Sequence, residues 1–184
     1  MKPLFVAITM LVVTAAPSKD EPVTFMGRAY RLGSYNQKAN AMWEFASAPE
    51  TVQNWTTLLT VVDRPDAKNM ADMDRLAQGI LDAYKSRGAK VVMARTMKDG
   101  SGKPFNYMVV AFDEPAKKRY ELNFVKAAMG EKNAYMMIFG ARVSDPKDYV
   151  AKAKAFLSER SGAIGMELEK LPAPAVGTLP RRQF

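Results

Sequence analysis

Neither cysteine nor histidine occurs anywhere in the 184 residues. Without them the chain has no Ser-His-Asp triad, no thiol nucleophile and no conventional zinc site, because each of these depends on an imidazole or a thiol. The missing cysteines also exclude disulfides and the lipid-modified cysteine of a bacterial lipoprotein. A fold without disulfides needs a substantial apolar core, and this chain is long enough to bury one.

Long apolar runs are scarce, and the one that stands out lies near the N-terminus. Lys2 precedes an apolar segment over residues 4–13, and residues 14–16 are the small side chains of a cleavage site. This layout predicts a secretory signal peptide over residues 1–16, too short to anchor in a bilayer, with a buried N-terminal helix or strand as the alternative. We therefore expect a periplasmic or secreted protein that does not span the membrane.

The remaining chain is the length of one domain. Residues 17–171 carry the apolar patterning of a single folded unit, and no internal repeat divides them. Residues 172–184 contain three prolines, a glycine and two adjacent arginines, which predicts a disordered tail.

The charge balance is basic, with 27 Lys and Arg against 19 Asp and Glu, a net charge of +8. Such a surplus favours an anionic partner, and the expected export suggests an anionic lipid or glycan, or an envelope protein. Nucleic acid is not expected, because no motif that reads nucleic acid accompanies the charge. A basic surface that only keeps the protein soluble is the alternative.

Strand patterns occupy most of the chain. Residues 23–35 are mixed in character and predict a short strand at most, whereas residues 39–46 alternate and residues 58–62 are β-branched and apolar. Four further strands are joined by connections so short that neighbours must be antiparallel. They are predicted over residues 89–97, 105–112, 119–128 and 134–143.

Two helices are predicted from apolar residues that recur with the 3.6-residue period. The first follows Pro65 and has Asp66 or Asn69 as its N-cap. The second opens at Ser144 or Asp145 and ends or bends at Ser161-Gly162. Strands, a helix, four antiparallel strands and a helix predict an α+β domain, with about five to seven strands packed with two main helices.

Trp55 and Asn54 lie in a polar segment that leads into the strand over residues 58–62. This segment is either a binding lip or a well-anchored strand start. Arg95 and Arg142 interrupt apolar strands, and an unpaired buried charge is very costly. Each arginine must therefore reach solvent, an anionic ligand or a carboxylate such as Glu121.

Other chemistries have weaker support. The glycine-rich segment over residues 100–103 lacks the spacing of a phosphate-binding loop and lies between strands, so it predicts a hairpin turn. Thirteen methionines could supply thioether ligands for Cu(I), but methionine commonly fills gaps in a core. We predict no metal and no cofactor.

The order of the elements, and the entry segment Glu50-Thr51-Val52-Gln53-Asn54-Trp55-Thr56 before a strand, resemble the PsbP-like family of small exported bacterial proteins. The resemblance covers residues 35–171 and implies an α/β/α sandwich with a non-enzymatic binding or assembly role. The binding residues that we predict are Trp55, Asn54, Arg95, Arg142 and Glu121. The alternatives are a carboxylate-dependent hydrolase that uses Glu121, and a structural subunit of an envelope assembly.

Overall fold

The computed structural model describes residues 22–37, 40–172 and 179. The predicted signal peptide lies outside the described residues. Of the predicted tail, Pro172 and Leu179 are described, and Leu179 packs, half-buried, against the core.

The described residues form two runs of four strands, each followed by one helix. In chain order the elements are β1 (Val23–Phe25), β2 (Arg28–Gln37), β3 (Ala41–Ala46), β4 (Thr57–Arg64), α1 (Met70–Ser86), β5 (Lys90–Lys98), β6 (Pro104–Glu114), β7 (Arg119–Met129), β8 (Ala134–Ser144) and α2 (Tyr149–Lys170). The predicted strands from residue 89 to residue 143 are confirmed.

All eight strands belong to one sheet, in the order β1-β2-β3-β4-β8-β7-β6-β5. Every neighbouring pair is antiparallel, as the short connections require. β4 pairs with β8, from Thr57 opposite Ala141 to Arg64 opposite Ala134. This pair is the seam between the first run of strands and the second.

The predicted fold class is wrong. We expected about five to seven strands packed with two main helices as an α/β/α sandwich, whereas one curled, eight-stranded antiparallel sheet dominates the fold. The segment over residues 23–35, predicted as a short strand at most, forms β1 and most of β2. Met26 and Gly27 connect these strands with φ angles of 50° and 74°. Positive φ at both positions matches the twist of a tight hairpin. Methionine is an unusual residue at positive φ, so the sequence does not indicate a turn here.

The curl of the sheet brings β1 close to β8. These strands are four positions apart in the sheet order, which is about 19 Å across a flat sheet. The ring centroids of Phe25 on β1 and Phe139 on β8 nevertheless lie 4.9 Å apart. A bulge between Leu32 and Ser34 bends β2 along the way. The side of the sheet that holds Phe25 and Phe139 is therefore concave.

Each helix packs on a different face of the sheet. On the concave face, α2 contributes Ala153, Ile164 and Leu168 to the larger core cluster. On the convex face, α1 buries a stripe against the centre of the second run of strands. The residues of that stripe are Met73, Leu76, Ala77 and Ile80. Among the described residues, no helix is both long and apolar enough to cross a membrane.

Asn69 is the N-cap of α1, one of the two residues predicted for that role. Its side-chain oxygen accepts a hydrogen bond from Asp72 N at 2.9 Å. The alternative, Asp66, instead binds the guanidinium of Arg64 through both carboxylate oxygens.

The start of α2 differs from the prediction. Asp148 is the N-cap and accepts a hydrogen bond from Ala151 N at 2.9 Å, whereas Asp145 caps the preceding turn by accepting from the backbone N–H groups at residues 147 and 148. The helix also continues through Ser161-Gly162 to Lys170, because packing on the concave face outweighs the helix-breaking tendency of glycine.

A buried lysine holds the C-terminal end of α2. Lys126 on β7 is 2% exposed, and its Nζ donates to the carbonyl oxygens of Leu168, Glu169 and Leu171 at 3.0, 3.0 and 2.9 Å. The last carbonyls of a helix lack partners within the helix and carry partial negative charge, which an ammonium group satisfies. Burial nevertheless lowers the pKa of Lys126, and nearby acidic groups oppose this only in part.

Candidate functional site

Three of the predicted binding residues meet on the convex face, near the loop that leads into β4. The guanidinium carbon of Arg142 lies 3.7 Å from the centroid of the Trp55 ring. Arg142 Nε lies 3.3 Å from Glu121 Oε2, and Nη1 lies 3.5 Å from the Trp55 carbonyl oxygen. Of the three options that the sequence left open for a strand arginine, Arg142 takes the carboxylate, Glu121. The fold itself supplies partners for this charge.

The indole of Trp55 lies against the backbone of β8. A Cβ atom added to Gly140 would come within 3.1 Å of Trp55 Cη2 and 3.2 Å of Asn123 Oδ1, so the ring occupies space that glycine leaves open. The guanidinium of Arg142 stacks on the same indole. The ring therefore serves mainly to pack the start of β4 onto the sheet.

Glu50 fixes the same segment from its other end. Its carboxylate accepts hydrogen bonds from Thr56 N at 3.1 Å, from Thr57 N at 3.2 Å and from the Thr56 hydroxyl. Burial raises the pKa of Glu50, but these hydrogen bonds and the charge of Arg28 together outweigh burial and lower the pKa. Of the two interpretations that the sequence left open, this geometry favours the well-anchored strand start.

Asn54 belongs to the turn of this loop. Its backbone N donates to Thr51 Oγ1 at 3.2 Å, and its backbone carbonyl oxygen accepts from Thr51 N at 3.1 Å. The Asn54 side chain is exposed.

Arg95 lies on the opposite face from Arg142. It pairs across the strands with Tyr107, which belongs to the concave core cluster, and its guanidinium carbon lies 6.0 Å from the Tyr107 ring centroid. Arg142 pairs with Glu121 on the convex side. Because they lie on opposite faces of the sheet, Arg95 and Arg142 cannot both contact one small ligand.

A different site opens on the concave face, between α2 and the hairpin of β1 and β2. We call it the α2 cleft. Its volume is about 450 Å³. It is lined by Met26, Arg28, Tyr30, Thr57, Phe139, Val143, Lys152, Ala155, Phe156, Glu159, Arg160 and Ile164.

The α2 cleft combines an apolar floor with a cationic rim. The apolar part of the lining includes Phe139 and Val143 from β8 and Phe156 and Ile164 from α2. The charged side chains among the lining residues are three cations and one anion: Arg28, Lys152, Arg160 and Glu159. This arrangement suits a ligand with an apolar body and a polar, preferably anionic, end.

Three polar side chains meet at the hairpin side of the α2 cleft. Thr57 Oγ1 accepts hydrogen bonds from Arg28 Nη1 at 2.9 Å and from the Tyr30 hydroxyl at 3.0 Å. These three residues were not predicted as a site, because the sequence predicts only a short strand where the hairpin forms. The alternation of Arg28 and Tyr30 after a glycine was the available signal, since period two places both side chains on one face.

The methionines on or beside the strands divide between the two core clusters. Met93, Met97 and Met137 pack with the concave cluster, whereas Met108, Met129 and Met136 pack with the convex one. Among the described residues, no three carboxylate side chains are grouped in a way that could hold a metal ion.

Comparisons with known proteins assign no family to this chain. The sequence matches no protein-family model, and no curated protein is significantly similar to it. The PsbP-like resemblance therefore stays a prediction, and the function must be argued from the α2 cleft and its surroundings.

Proposed function

We propose that this protein is a non-enzymatic binding or accessory protein of the bacterial cell envelope, and that its α2 cleft holds one small molecule with an apolar body. The apolar floor of the cleft is the observation that carries this proposal. Phe139 and Phe156 line a space on the concave face that none of the described residues fills.

The size of the α2 cleft sets the size of the ligand. A volume of about 450 Å³ falls within the range of known small-molecule sites. If each non-hydrogen atom takes roughly the 30 Å³ of a water molecule, the cleft holds about 15 such atoms. One medium-length hydrocarbon chain or one small ring system has this size.

The hydrolase alternative has less support. Glu121 was its proposed catalytic carboxylate, and both of its oxygens already have partners. Oε2 accepts from Arg142 at 3.3 Å, and Oε1 lies 3.5 Å from Asn123 Nδ2. A general acid or base needs access to its substrate, whereas this carboxylate lies within a bonded cluster.

The test is a titration with N-phenyl-1-naphthylamine, a neutral apolar dye that fluoresces when it leaves water. We expect saturable binding of one dye per chain. Ala155→Trp places a large ring at the lining of the α2 cleft and should weaken binding about tenfold or more, equivalent to about 1.4 kcal/mol.

Ala151→Trp is the matched control. Ala151 is also an exposed alanine of α2, but it does not line the cleft. We expect this variant to bind the dye like the unchanged protein. Absence of saturable binding, or equal effects of the two tryptophans, would contradict the proposed function.

A further inference from the structure

The hairpin side of the α2 cleft presents hydrogen-bond donors. A hydroxyl group has two acceptor positions and one donor. In Thr57 both acceptor positions are taken, by Arg28 Nη1 and by the Tyr30 hydroxyl. The hydrogen of the Thr57 hydroxyl must therefore point toward a third group.

Arg28 has further donors to offer. A guanidinium carries five N–H groups, and within the described part of the chain one of them donates, to Thr57. The nearest carboxylate oxygen among the described residues, Glu50 Oε1, lies 3.9 Å from Nη2, beyond hydrogen-bond distance. The Arg28 side chain is 41% exposed. The planar fork of its guanidinium is thus accessible beside the cleft.

Acidic side chains among the described residues do not form hydrogen bonds with the Arg28 guanidinium. The carboxylate of Glu50 accepts hydrogen bonds from the backbone N–H groups of residues 56 and 57 and from the Thr56 hydroxyl. It therefore attracts Arg28 by charge and not through a hydrogen bond. Among the described residues that line the cleft, Glu159 is the one acidic residue, against three cations. Lys152 and Arg28 of that lining each have one acidic neighbour, Asp145 at 3.6 Å and Glu50 at 3.9 Å, and both distances exceed that of a hydrogen bond.

We propose that the α2 cleft takes a single-chain anionic amphiphile, with its carboxylate or phosphate head group on Arg28 and Thr57 and its hydrocarbon chain on the floor of Phe139 and Phe156. This inference rests on the proposed function, because it names the class of molecule that the cleft binds. Arginine suits the role since its fork matches the oxygens of a carboxylate or phosphate. The ring of Tyr30, whose centroid lies 6.0 Å from the guanidinium carbon, helps to orient Arg28.

The experiment compares three ligands with the same chain and different head groups: dodecanoate, dodecyl phosphate and dodecanol. Each has roughly the number of non-hydrogen atoms that fits the cleft. Their affinities are measured by displacement of N-phenyl-1-naphthylamine at concentrations below micelle formation. We expect at least one of the anions to bind about tenfold more tightly than dodecanol, as a charge-assisted hydrogen bond implies. Preference for dodecanoate indicates a fatty-acid type of ligand, and preference for dodecyl phosphate a phospholipid type.

Arg28→Met should remove the preference for the anions over dodecanol, because it keeps an apolar stem and loses the charge. Arg75→Met is the matched control, since Arg75 lies on α1, 74% exposed, away from the cleft. Thr57→Val gives a second, isosteric test and should lower the preference without removing the charge.

The outcomes separate the two proposals. If dodecanol binds as tightly as both anions, or if Arg28→Met keeps the full preference, the head-group inference is overturned while the apolar cleft stands. If the dye itself does not bind, the proposed function fails, and the head-group inference fails with it.

Discussion

Replacing Lys126 with methionine tests the junction that holds α2 over the concave face. The change removes three hydrogen bonds from one ammonium group to Leu168 O, Glu169 O and Leu171 O. The contact with Leu168 is buried, and an unsatisfied buried carbonyl costs about 1–3 kcal/mol. The contacts with Glu169 and Leu171 are only partly buried, so water can replace the ammonium there. Methionine also removes the energetic cost of burying the lysine charge, and this offsets part of the expected destabilisation.

We therefore expect Lys126→Met to lower the free energy of unfolding by about 2 kcal/mol, and the melting temperature by about 4–8 °C for a chain of this size. Urea denaturation followed by circular dichroism measures the change. Lys132→Met, in an exposed turn, is the control and should stay within about 0.5 kcal/mol of the unchanged protein. A Lys126→Met variant as stable as the control would refute the argument that this ammonium anchors the helix.

The pH dependence gives an independent check. Burial lowers the pKa of Lys126 below its ordinary value of 10.5, so the unfolded chain binds this proton more tightly than the folded chain does. Between the lowered pKa and 10.5, the contribution of Lys126 to stability should rise with pH. The Lys126→Met variant lacks that rise, and the difference between the two curves isolates it from other titrating groups.

Three further changes probe separate parts of the fold. Gly140→Ala should cost about 1–3 kcal/mol and change the fluorescence of Trp55, because its Cβ would crowd the indole; unchanged fluorescence and stability would contradict that packing. Burial raises the pKa of Tyr135 to about 12, so the folded chain keeps this proton while the unfolded chain loses it near 10.0, and stability should fall between these pH values by up to about 2.7 kcal/mol. Urea titrations across that range should show a smaller fall in Tyr135→Phe, and an equal fall would count against the burial. Asn69→Ala should lower stability by about 1 kcal/mol and Asp66→Ala by less, as thermal unfolding can measure; equal losses would refute the assignment of the cap.

The second half of the sheet could be predicted because the strand patterns and the turns in its sequence indicate the same structure. β6 to β8 alternate or are continuously apolar, and their turns are short, which leaves antiparallel pairing as the simple solution. The first half was harder, since the hairpin turn at Met26 and Gly27 lacks the usual Asn-Gly signal. The helix end predicted at Ser161-Gly162 was wrong, because α2 continues to Lys170. Further along this helix, a Cβ added to Gly165 would come within 3.2 Å of Tyr107 Oη, so this glycine permits close packing on the sheet.

The candidate site could be predicted only in part, because strand sequences do not reveal which residues share a face across a whole sheet. Arg142 and Glu121 lie on adjacent strands, and the carboxylate was the natural partner for a strand arginine. Arg95 lies on the edge strand β5, where a register shift between Val91 and Met93 changes the alternation. One extra residue moves every later side chain to the other face. The α2 cleft was not predicted, because it needs both the curl of the sheet and the hairpin.

The lining of the α2 cleft comes from both sides of the seam between β4 and β8. The paired residues of this seam are 70 to 84 positions apart in sequence, whereas most other neighbouring strands are joined by short turns. Closing so long a loop carries a larger entropy cost, so the seam should form after the local hairpins. Arg28 and Tyr30 line the cleft from one side of this seam, and Phe139 lines it from the other. A ligand in the cleft would contact both runs of strands, and at a concentration 100 times its dissociation constant it would raise the free energy of unfolding by about 2.7 kcal/mol. Ligand binding would thereby stabilise the seam, which forms late in folding, and would slow the separation of the two runs of strands.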